Sequence, residues 1–555
     1  MSLKARGYSQ ILSILMFILG ACGLAYEYTV SKIASDLIGN SVQQWAMMIA
    51  TMLFAMGMGA DIQKRIPQRI LADTVIFSQN VLALVGGCAP LLLIYCFSQA
   101  PEIYSVVQYG IALLLGTLIG FEIPIVMRLN EEASGEMKFN LAQVLKMDYI
   151  GALIGALLWT FVLVRVFGIE QISFILGMTT LVASGLCFWL YRDQVKRVRW
   201  RLAETGVVLV VLVLGLLNSD RLVIHAEQFL YKDEVVFSQT TAYQHIVLTK
   251  SSQGKLRCYI NGHLQFDEND EYIYHEQLVH PVMQLCDQPR NILILGGGDG
   301  LAAREVLKYP SVEKITLVDI DPVMTDLAST HPDFIAMSEG SLLSSKVWKQ
   351  FRSAVTPGEP DERVQVWQSS QRDPLGKTRY SVAEVDIINV DAGSFVMKNE
   401  TLYDVVIIDF PDPSSPDLAK LYSKLFYHSL KQCLTPRGLI VQQSGSPYHA
   451  KEAFLCVGRT MEASGYQVLP YHDNVPSFGE WGWWIASPYR ALNSEVVKEQ
   501  LLSAEGLPET RYVTPEVMST AFVFGKDQLA TDQEAVTSLT QSSIYHYYLE
   551  GWQDK

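Results

Sequence analysis

Cysteine is scarce and never paired by spacing. The 555 residues hold eight (Cys22, Cys88, Cys96, Cys187, Cys258, Cys286, Cys433 and Cys456), and no CxxC occurs. This excludes a disulfide framework and leaves small structural thiols as the reading of all eight. No metal site is expected, zinc included. Positive charge is also in deficit: 43 Lys and Arg against 57 Asp and Glu give a net charge of -14. That balance excludes a general nucleic-acid binder and permits a cationic partner. A typical signal peptide is missing as well. The first apolar run, Gln10 to Tyr28, is too long for an h-region and lacks a convincing cleavage site, so it reads as a span.

Charge of either sign is missing from long stretches of the first half. Residues 9–218 are dominated by apolar runs, whereas charges, prolines and turn residues occur throughout from about 220 onward. A chain of this length is expected to hold several domains. They are a multi-pass membrane region over 1–219, a small β subdomain over 220–285, and a catalytic domain over 286–555 with an insertion near 335–385. The expected fold class is an all-α membrane bundle followed by an antiparallel β subdomain and an α/β Rossmann-like domain.

Apolar helices of about 20 residues match a hydrocarbon core about 30 Å thick. Seven spans are expected, near 9–30, 44–60, 74–97, 104–127, 148–168, 171–191 and 203–218, the last being short. The lipid bilayer is therefore an expected partner, and the cell membrane the expected location. Lys4 and Arg6 precede the first span, and Lys64, Arg65 and Arg69 follow the second. Arg128, Lys138 and Lys146 follow the fourth; Arg192, Lys196, Arg197, Arg199 and Arg201 follow the sixth. The positive-inside rule puts the N-terminus and these loops in the cytoplasm. Seven full spans then leave the C-terminal half outside, whereas a re-entrant or interfacial 203–218 keeps it inside. Glu27 and Glu122 lie within apolar runs and Asp148 at the edge of one, where an acid is costly. A partner on a neighbouring helix, or a position near the headgroups, is preferred to a cation path. No repeat or broken-helix pair marks a transport site.

Residues 222–266 read as short strands separated by turn residues at Ser251 to Gly254 and at Asn261-Gly262. EYIYHEQLVHPVM then has helical spacing. In RNILILGGGDGLAAREVLKYPSVEKITLVDIDP, a buried strand enters a glycine-rich turn and a helix, and a second strand ends at Asp319. Glycines let the backbone approach a ligand, and the acid about 20 residues on can bind a ribose diol. Asp299 inside the turn would repel a pyrophosphate. It suits a positively charged ligand, an S-adenosylmethionine-like sulfonium nucleoside rather than NAD. Asp391 follows a third apolar run, where it can accept from an adenine amine. YDVVIIDFPDP then supplies a fourth strand carrying Asp409 and Asp412. Ligands of open α/β sheets gather at such strand ends, so Asp299, Asp319, Asp391 and Asp409 are expected in one crevice.

Taken together, GGGDG, Asp319, the Asp391-Ala392 pair and D-x-x-D-P at 409–413 resemble the spermidine synthase (polyamine aminopropyltransferase) family. Tyr243-Gln244, Asn261-Gly262, Gln265 and DEYIYHEQLVHP agree with it, and the resemblance covers roughly 222–525. It looks more particularly like the bacterial branch with an N-terminal multi-pass membrane region. The resemblance implies transfer of an aminopropyl group from decarboxylated S-adenosylmethionine, as co-substrate, to an amine, usually putrescine. Polyamine and nucleoside small molecules are thus the implied partners, no cofactor is implied, and a homodimer is compatible.

By motif match, the resemblance implies that Asp319 binds the ribose, Asp391 and Ala392 the adenine, and Gln244 the nucleoside, with Pro416 on the adenine side. It implies that Asp299 holds the ammonium of the aminopropyl arm and that Tyr274 and His275 face the polyamine. Asp409 is implied as general base, because putrescine is protonated at neutral pH and only a free amine attacks. Asp412 would anchor the substrate with it, and Tyr512 would reach the amine. Phe410-Pro411 departs from the small hydroxyl residues usual between the two acids, and Ser414-Ser415 replaces a glycine-containing turn. These departures bear on which amine fits. The aromatics of VPSFGEWGWWIAS are expected either to close the amine pocket or to form a core strand. A small-molecule methyltransferase of the same nucleotide fold, and a polyamine transporter or sensor whose soluble domain only binds, are the competing readings.

Overall fold

A segment apolar on every side has no polar face to offer water, and in the first half such segments form long helices. The computed structural model describes residues 3–38, 41–134, 137–343, 346–348 and 383–553. The chain divides into two compact units, residues 1–254 with 259–263, and residues 255–258 with 264–555. Most of the insertion expected near 335–385 lies outside the described residues.

In the first unit, among the described residues, seven helices are long and apolar enough to cross a membrane. They are Ile11–Ile38, Val42–Arg65, Gln68–Gln99, Pro101–Leu129, Ala142–Val166, Ile169–Gln194 and Val198–Leu217. Each overlaps an expected span. The last begins at Val198 and has 20 residues, about 30 Å at 1.5 Å per residue, so its length suffices to cross. Small residues let these helices approach closely. A Cβ added at Gly151 would lie 2.1 Å from the Phe17 carbonyl oxygen, and one at Gly155 2.5 Å from that of Ala21. Glu122 has the neighbouring-helix partner expected of it: Gln79 Nε2 donates to Glu122 Oε1 at 3.0 Å.

One expectation fails here. The strand expected from residue 222 is absent, and Ser219–Glu227 is a helix instead. Val223 and Ala226, three apart, are buried together while Arg221 and Leu222 are exposed. That 3.6-residue periodicity outweighs the strand preference of Val and Ile. Four strands follow in the sheet order β1-β2-β3-β4: β1 Glu234–Thr240, β2 His245–Lys250, β3 Leu256–Ile260 and β4 His263–Asp267. β1 and β2 are antiparallel. Between β3 and β4, Asn261 and Gly262 both have positive φ (51° and 81°), as a two-residue hairpin turn requires.

The second unit centres on an eight-stranded sheet. Its strands are β5 Asn291–Gly296, β6 Lys314–Asp319, β7 Lys346–Trp348, β8 Glu384–Asn389, β9 Tyr403–Asp409, β10 Leu434–Gln443, β11 Gln467–Val475 and β12 Gly479–Ser487. The order is β11-β12-β10-β9-β5-β6-β8-β7. The pairs from β10 through to β7 are parallel, and the β10–β12 and β11–β12 pairs are antiparallel. β5, β6, β8 and β9 are rich in Val, Ile and Leu, as strands covered on both faces are. After β5 the chain first adds strands on one side, through β6 and β8, and then returns to the other side with β9 and β10. The strand order therefore reverses between β5 and β9, which is where open α/β sheets bind ligands.

Candidate active site

The reversal point is built from the glycine-rich turn after β5. Gly296 pairs with Asp409 across β5 and β9. It has φ +84°, and a Cβ there would lie 2.2 Å from the Asp409 carbonyl oxygen, so only glycine lets the two strand ends meet. Gly298 approaches Asp319 as closely: its amide donates to Asp319 Oδ2 at 3.0 Å, and an added Cβ would fall 2.6 Å from that oxygen.

The four expected acids sit at the C-terminal ends of four adjacent strands, β9, β5, β6 and β8. They are not equivalent. Asp299 Oδ1 accepts the Leu301 amide at 2.9 Å, Asp391 Oδ1 accepts that of Ser394 at 2.8 Å, and Asp319 Oδ1 accepts that of Asp321 at 2.8 Å. Three of the acids therefore brace their own turns. Asp409 differs: among the described residues it receives only the Tyr274 hydroxyl, at 2.6 Å on Oδ1. Its carboxylate is spared local backbone duty.

Charge accumulates in this crevice. Burial pushes Asp409 up to about 6, with Asp299 adding to the rise, while His275 and the Tyr274 hydrogen bond oppose it. Burial also raises Asp299, against the pull of His275. Asp319 is pushed up to about 7 by burial, in spite of its two backbone donors. Asp412 is pushed up to about 6, again by burial, with Gln443 opposing. Yet all four side chains keep some solvent exposure. They line a crevice rather than a closed core. Four carboxylates with raised proton affinity form a site prepared for a cation.

Tyr274 and His275 come from helix Glu271–Leu285. His275 is 2 % exposed, and its Nδ1 lies 2.8 Å from the Glu271 carbonyl and 2.9 Å from Glu271 Oε2. Glu271 in turn accepts a forked pair from Arg304 at 2.9 and 3.0 Å. The Glu271 carboxylate pushes His275 up to about 9 in spite of burial, so a positive charge stands behind Asp299 and Asp409. Tyr274 packs against Trp483 and Phe478, with ring centroids 5.7 and 6.1 Å apart. Of the aromatic run, Trp483 and Trp484 are core residues of β12, stacked on Tyr471 and Phe454. Trp483 and Trp484 thus meet the core-strand expectation for this run.

Ala392 is buried at the start of helix Ala392–Lys398, which Asp391 caps. Pro416 is exposed at the first position of helix Pro416–Ala419. Gln244 belongs to the first unit, in the turn before β2, where its carbonyl accepts from Thr241. Tyr512 donates its hydroxyl to Asp473 Oδ1 at 3.0 Å.

Sequence reasoning misses the residues that hold this site in shape. Gln443, at the end of β10, donates through Nε2 to the Phe410 carbonyl and, at 3.4 Å, to Asp412 Oδ1. Tyr422 donates to the Pro411 carbonyl at 2.9 Å. Phe410 is itself 5 % exposed and turned inward between Tyr422 and Phe426. Glu276, fully buried, accepts the amides of Arg511, Tyr512 and Val513 at 2.7 to 2.9 Å and so fixes the strap that carries Tyr512. A Glu in the helix register opposite Tyr274 is the available signal for this last role.

The chain as a whole is similar to known proteins. The family description "Spermine/spermidine synthase domain" matches residues 271–341 and 371–496. The chain is 33% identical to "Polyamine aminopropyltransferase 2" of Ralstonia nicotianae, over 98% of each chain. It is 36% identical to "Polyamine aminopropyltransferase 1" of Streptomyces coelicolor, over 99% of this chain and 96% of that one. It is 35% identical to "Polyamine aminopropyltransferase" of Leptospira interrogans, over 86% and 87%. Among solved structures, a spermidine synthase in complex with the transition-state analogue AdoDATO aligns with 53% of this chain and 88% of its own, at 23% identity and a TM-score of 0.41.

Proposed function

The chain belongs to the polyamine aminopropyltransferase family, and on that premise we propose that it transfers the aminopropyl group of decarboxylated S-adenosylmethionine to putrescine. The amine lone pair attacks the carbon next to the sulfonium. A C–N bond forms, the C–S bond breaks, and its electron pair returns to sulfur as neutral methylthioadenosine. The proton shed by the attacking amine goes to Asp409, and the other product is spermidine.

The observation that carries this reading is the unencumbered Asp409 carboxylate, held by Tyr274 at 2.6 Å at the β5–β9 reversal point. A base must reach its proton directly, and a carboxylate raised to about 6 is ionised at neutral pH while remaining a competent proton acceptor. Asp299, from the adjacent turn, receives the ammonium of the aminopropyl arm. Asp319 takes the ribose hydroxyls, and Asp391 and Ala392 the adenine with Pro416 at its edge. Tyr274, His275, Asp412 and Tyr512 surround the amine. The leaving group is already activated, so positioning supplies much of the rate.

The seven long apolar helices support a multi-pass position in the cell membrane. Whether all seven cross decides which side the catalytic unit faces, and a C-terminal reporter fusion reads that directly. Product analysis tests the reaction itself. Methylthioadenosine together with spermidine is the expected outcome, and S-adenosylhomocysteine would replace the reading with methyl transfer.

A further inference from the structure

We propose that Asp473 forms a second anionic subsite for the acceptor, taking the far ammonium of a diamine or longer polyamine. This inference rests on the aminopropyl-transfer reading of the same site. Asp473 lies on β11, partly exposed. Its Oδ2 accepts from Gln277 Nε2 at 2.6 Å, and its Oδ1 accepts from the Tyr512 hydroxyl at 3.0 Å and the Asn474 amide at 2.7 Å. All three donors are neutral. Among the described residues no Lys, Arg or His nitrogen comes within 4.0 Å of this carboxylate. The adjacent His472 is turned toward Glu480 and the Val523 carbonyl.

Gln277 adds an independent observation. Its side chain is fully buried, its Nε2 is committed to Asp473, and its Oε1 has no protein partner. A buried acceptor left without a donor is costly. Such an oxygen beside a carboxylate without a counter-charge calls for a ligand that is both cationic and a multiple donor. An alkylammonium, with three N–H groups, satisfies both requirements.

Asp473 is linked to Asp409 through one helix and one aromatic cluster. Gln277 follows Tyr274 by three residues on the same helix, about 4.5 Å along its axis, and Tyr274 holds Asp409. Asp473 pairs with Trp481 across β11 and β12. Trp481 packs on Phe478 at 5.0 Å, and Phe478 packs on Tyr274 at 6.1 Å. An aromatic wall thus runs from the reacting end to Asp473, suited to the methylene chain between two ammonium groups. The acceptor's reacting amine sits at Asp409 and Asp412, and its other end at Asp473.

The test compares two acceptors, putrescine and butylamine, which share a chain and differ in the second ammonium, using the full-length protein in detergent. In Asp473→Asn the KM for putrescine rises about 10- to 100-fold, the range expected for loss of a charge-assisted contact. The kcat stays within a few-fold, and the KM for butylamine does not move. Asp473→Glu restores most of the putrescine KM, and Asp473→Ser repeats the loss if the Asn variant folds poorly. Equal changes for both acceptors, or none, overturn the subsite, because a structural role would not distinguish them. Tryptophan-fluorescence titration of putrescine in the presence of methylthioadenosine separates the two levels of inference. If the wild type transfers no aminopropyl group but Asp473→Asn still weakens putrescine binding, the reaction reading fails and the subsite stands. If transfer occurs and the substitution leaves putrescine binding unaltered, the subsite fails and the reaction stands.

Discussion

Replacing Asp409 with Asn removes the proposed base while keeping the shape and the hydrogen bond from Tyr274. General-base catalysis contributes about 10²–10⁴-fold, or about 2.7–5.4 kcal/mol at 1.36 kcal/mol per decade. The kcat is expected to fall by that factor. The affinity for methylthioadenosine is expected to hold, because the proposed nucleoside contacts fall to Asp319, Asp391 and Ala392. The pH profile is the sharper measurement. Asp409 and Asp412 are both pushed up to about 6, so each gains a proton as pH falls through that value. Protonated Asp409 cannot accept a proton from the amine, and protonated Asp412 no longer attracts it. With donor saturating, so that Asp319 is removed from the profile, kcat/KM for putrescine should fall below pH about 6 with a slope between one and two. In Asp409→Asn the residual rate keeps only the contribution of Asp412. Tyr274→Phe withdraws a donor from the ionised carboxylate, which raises the proton affinity of Asp409 and moves the limb to higher pH. Wild-type turnover in Asp409→Asn, or a limb that ignores both substitutions, would refute the assignment.

Asp319→Ala should weaken nucleoside binding by about 100-fold, the loss of two hydrogen bonds to a charged group, with little change in amine KM; calorimetry with methylthioadenosine checks it. His275 is held at about 9 in the folded protein by Glu271, above the ordinary histidine value of about 6.5. Its contribution to stability is therefore complete below pH 6.5 and is lost as pH rises through about 9. Denaturant unfolding of the wild type should show that loss, and His275→Asn should flatten it. Glu276→Ala strips the acceptors from three amides of the 511–513 strap. Limited proteolysis should then cut near that strap, and amine KM should rise while nucleoside affinity stays unchanged.

The parts of this protein legible in its sequence are those whose cause is local. A glycine-rich turn after an apolar strand fixes its own geometry, and an acid that closes a strand must stand at the sheet's edge. Asp299, Asp319, Asp391 and Asp409 are therefore visible as a set. The seven apolar helices are visible by length alone. Residues 219–227 mislead because the strand preference of Val and Ile masks their helical periodicity. Gln443 and Asp473 leave no local mark, and Glu276 only its place in the helix register opposite Tyr274. Glu276 meets Tyr512 across 236 residues and Gln277 meets Asp473 across 196, so their roles exist only once the sheet has assembled.

The Phe-Pro centre of IIDFPDP shows how assembly changes the meaning of a local oddity. In the sequence, a large ring between two functional acids looks like a change in the amine pocket. In the folded chain Phe410 enters the core against Tyr422 and Phe426, away from the acids on either side of it. Its carbonyl is taken by Gln443, and that of Pro411 by Tyr422. Each backbone carbonyl between Asp409 and Asp412 thereby has one lone pair engaged, and the two carboxylates remain the stronger acceptors for an ammonium. Proline removes a backbone donor and fixes φ at 411, and the buried ring anchors 410, so the acids are held apart by covalent and core constraints. Selectivity for the acceptor then has to be exercised elsewhere along the chain of the amine. Asp473, at the far end of the aromatic wall, is the charged group placed to exercise it.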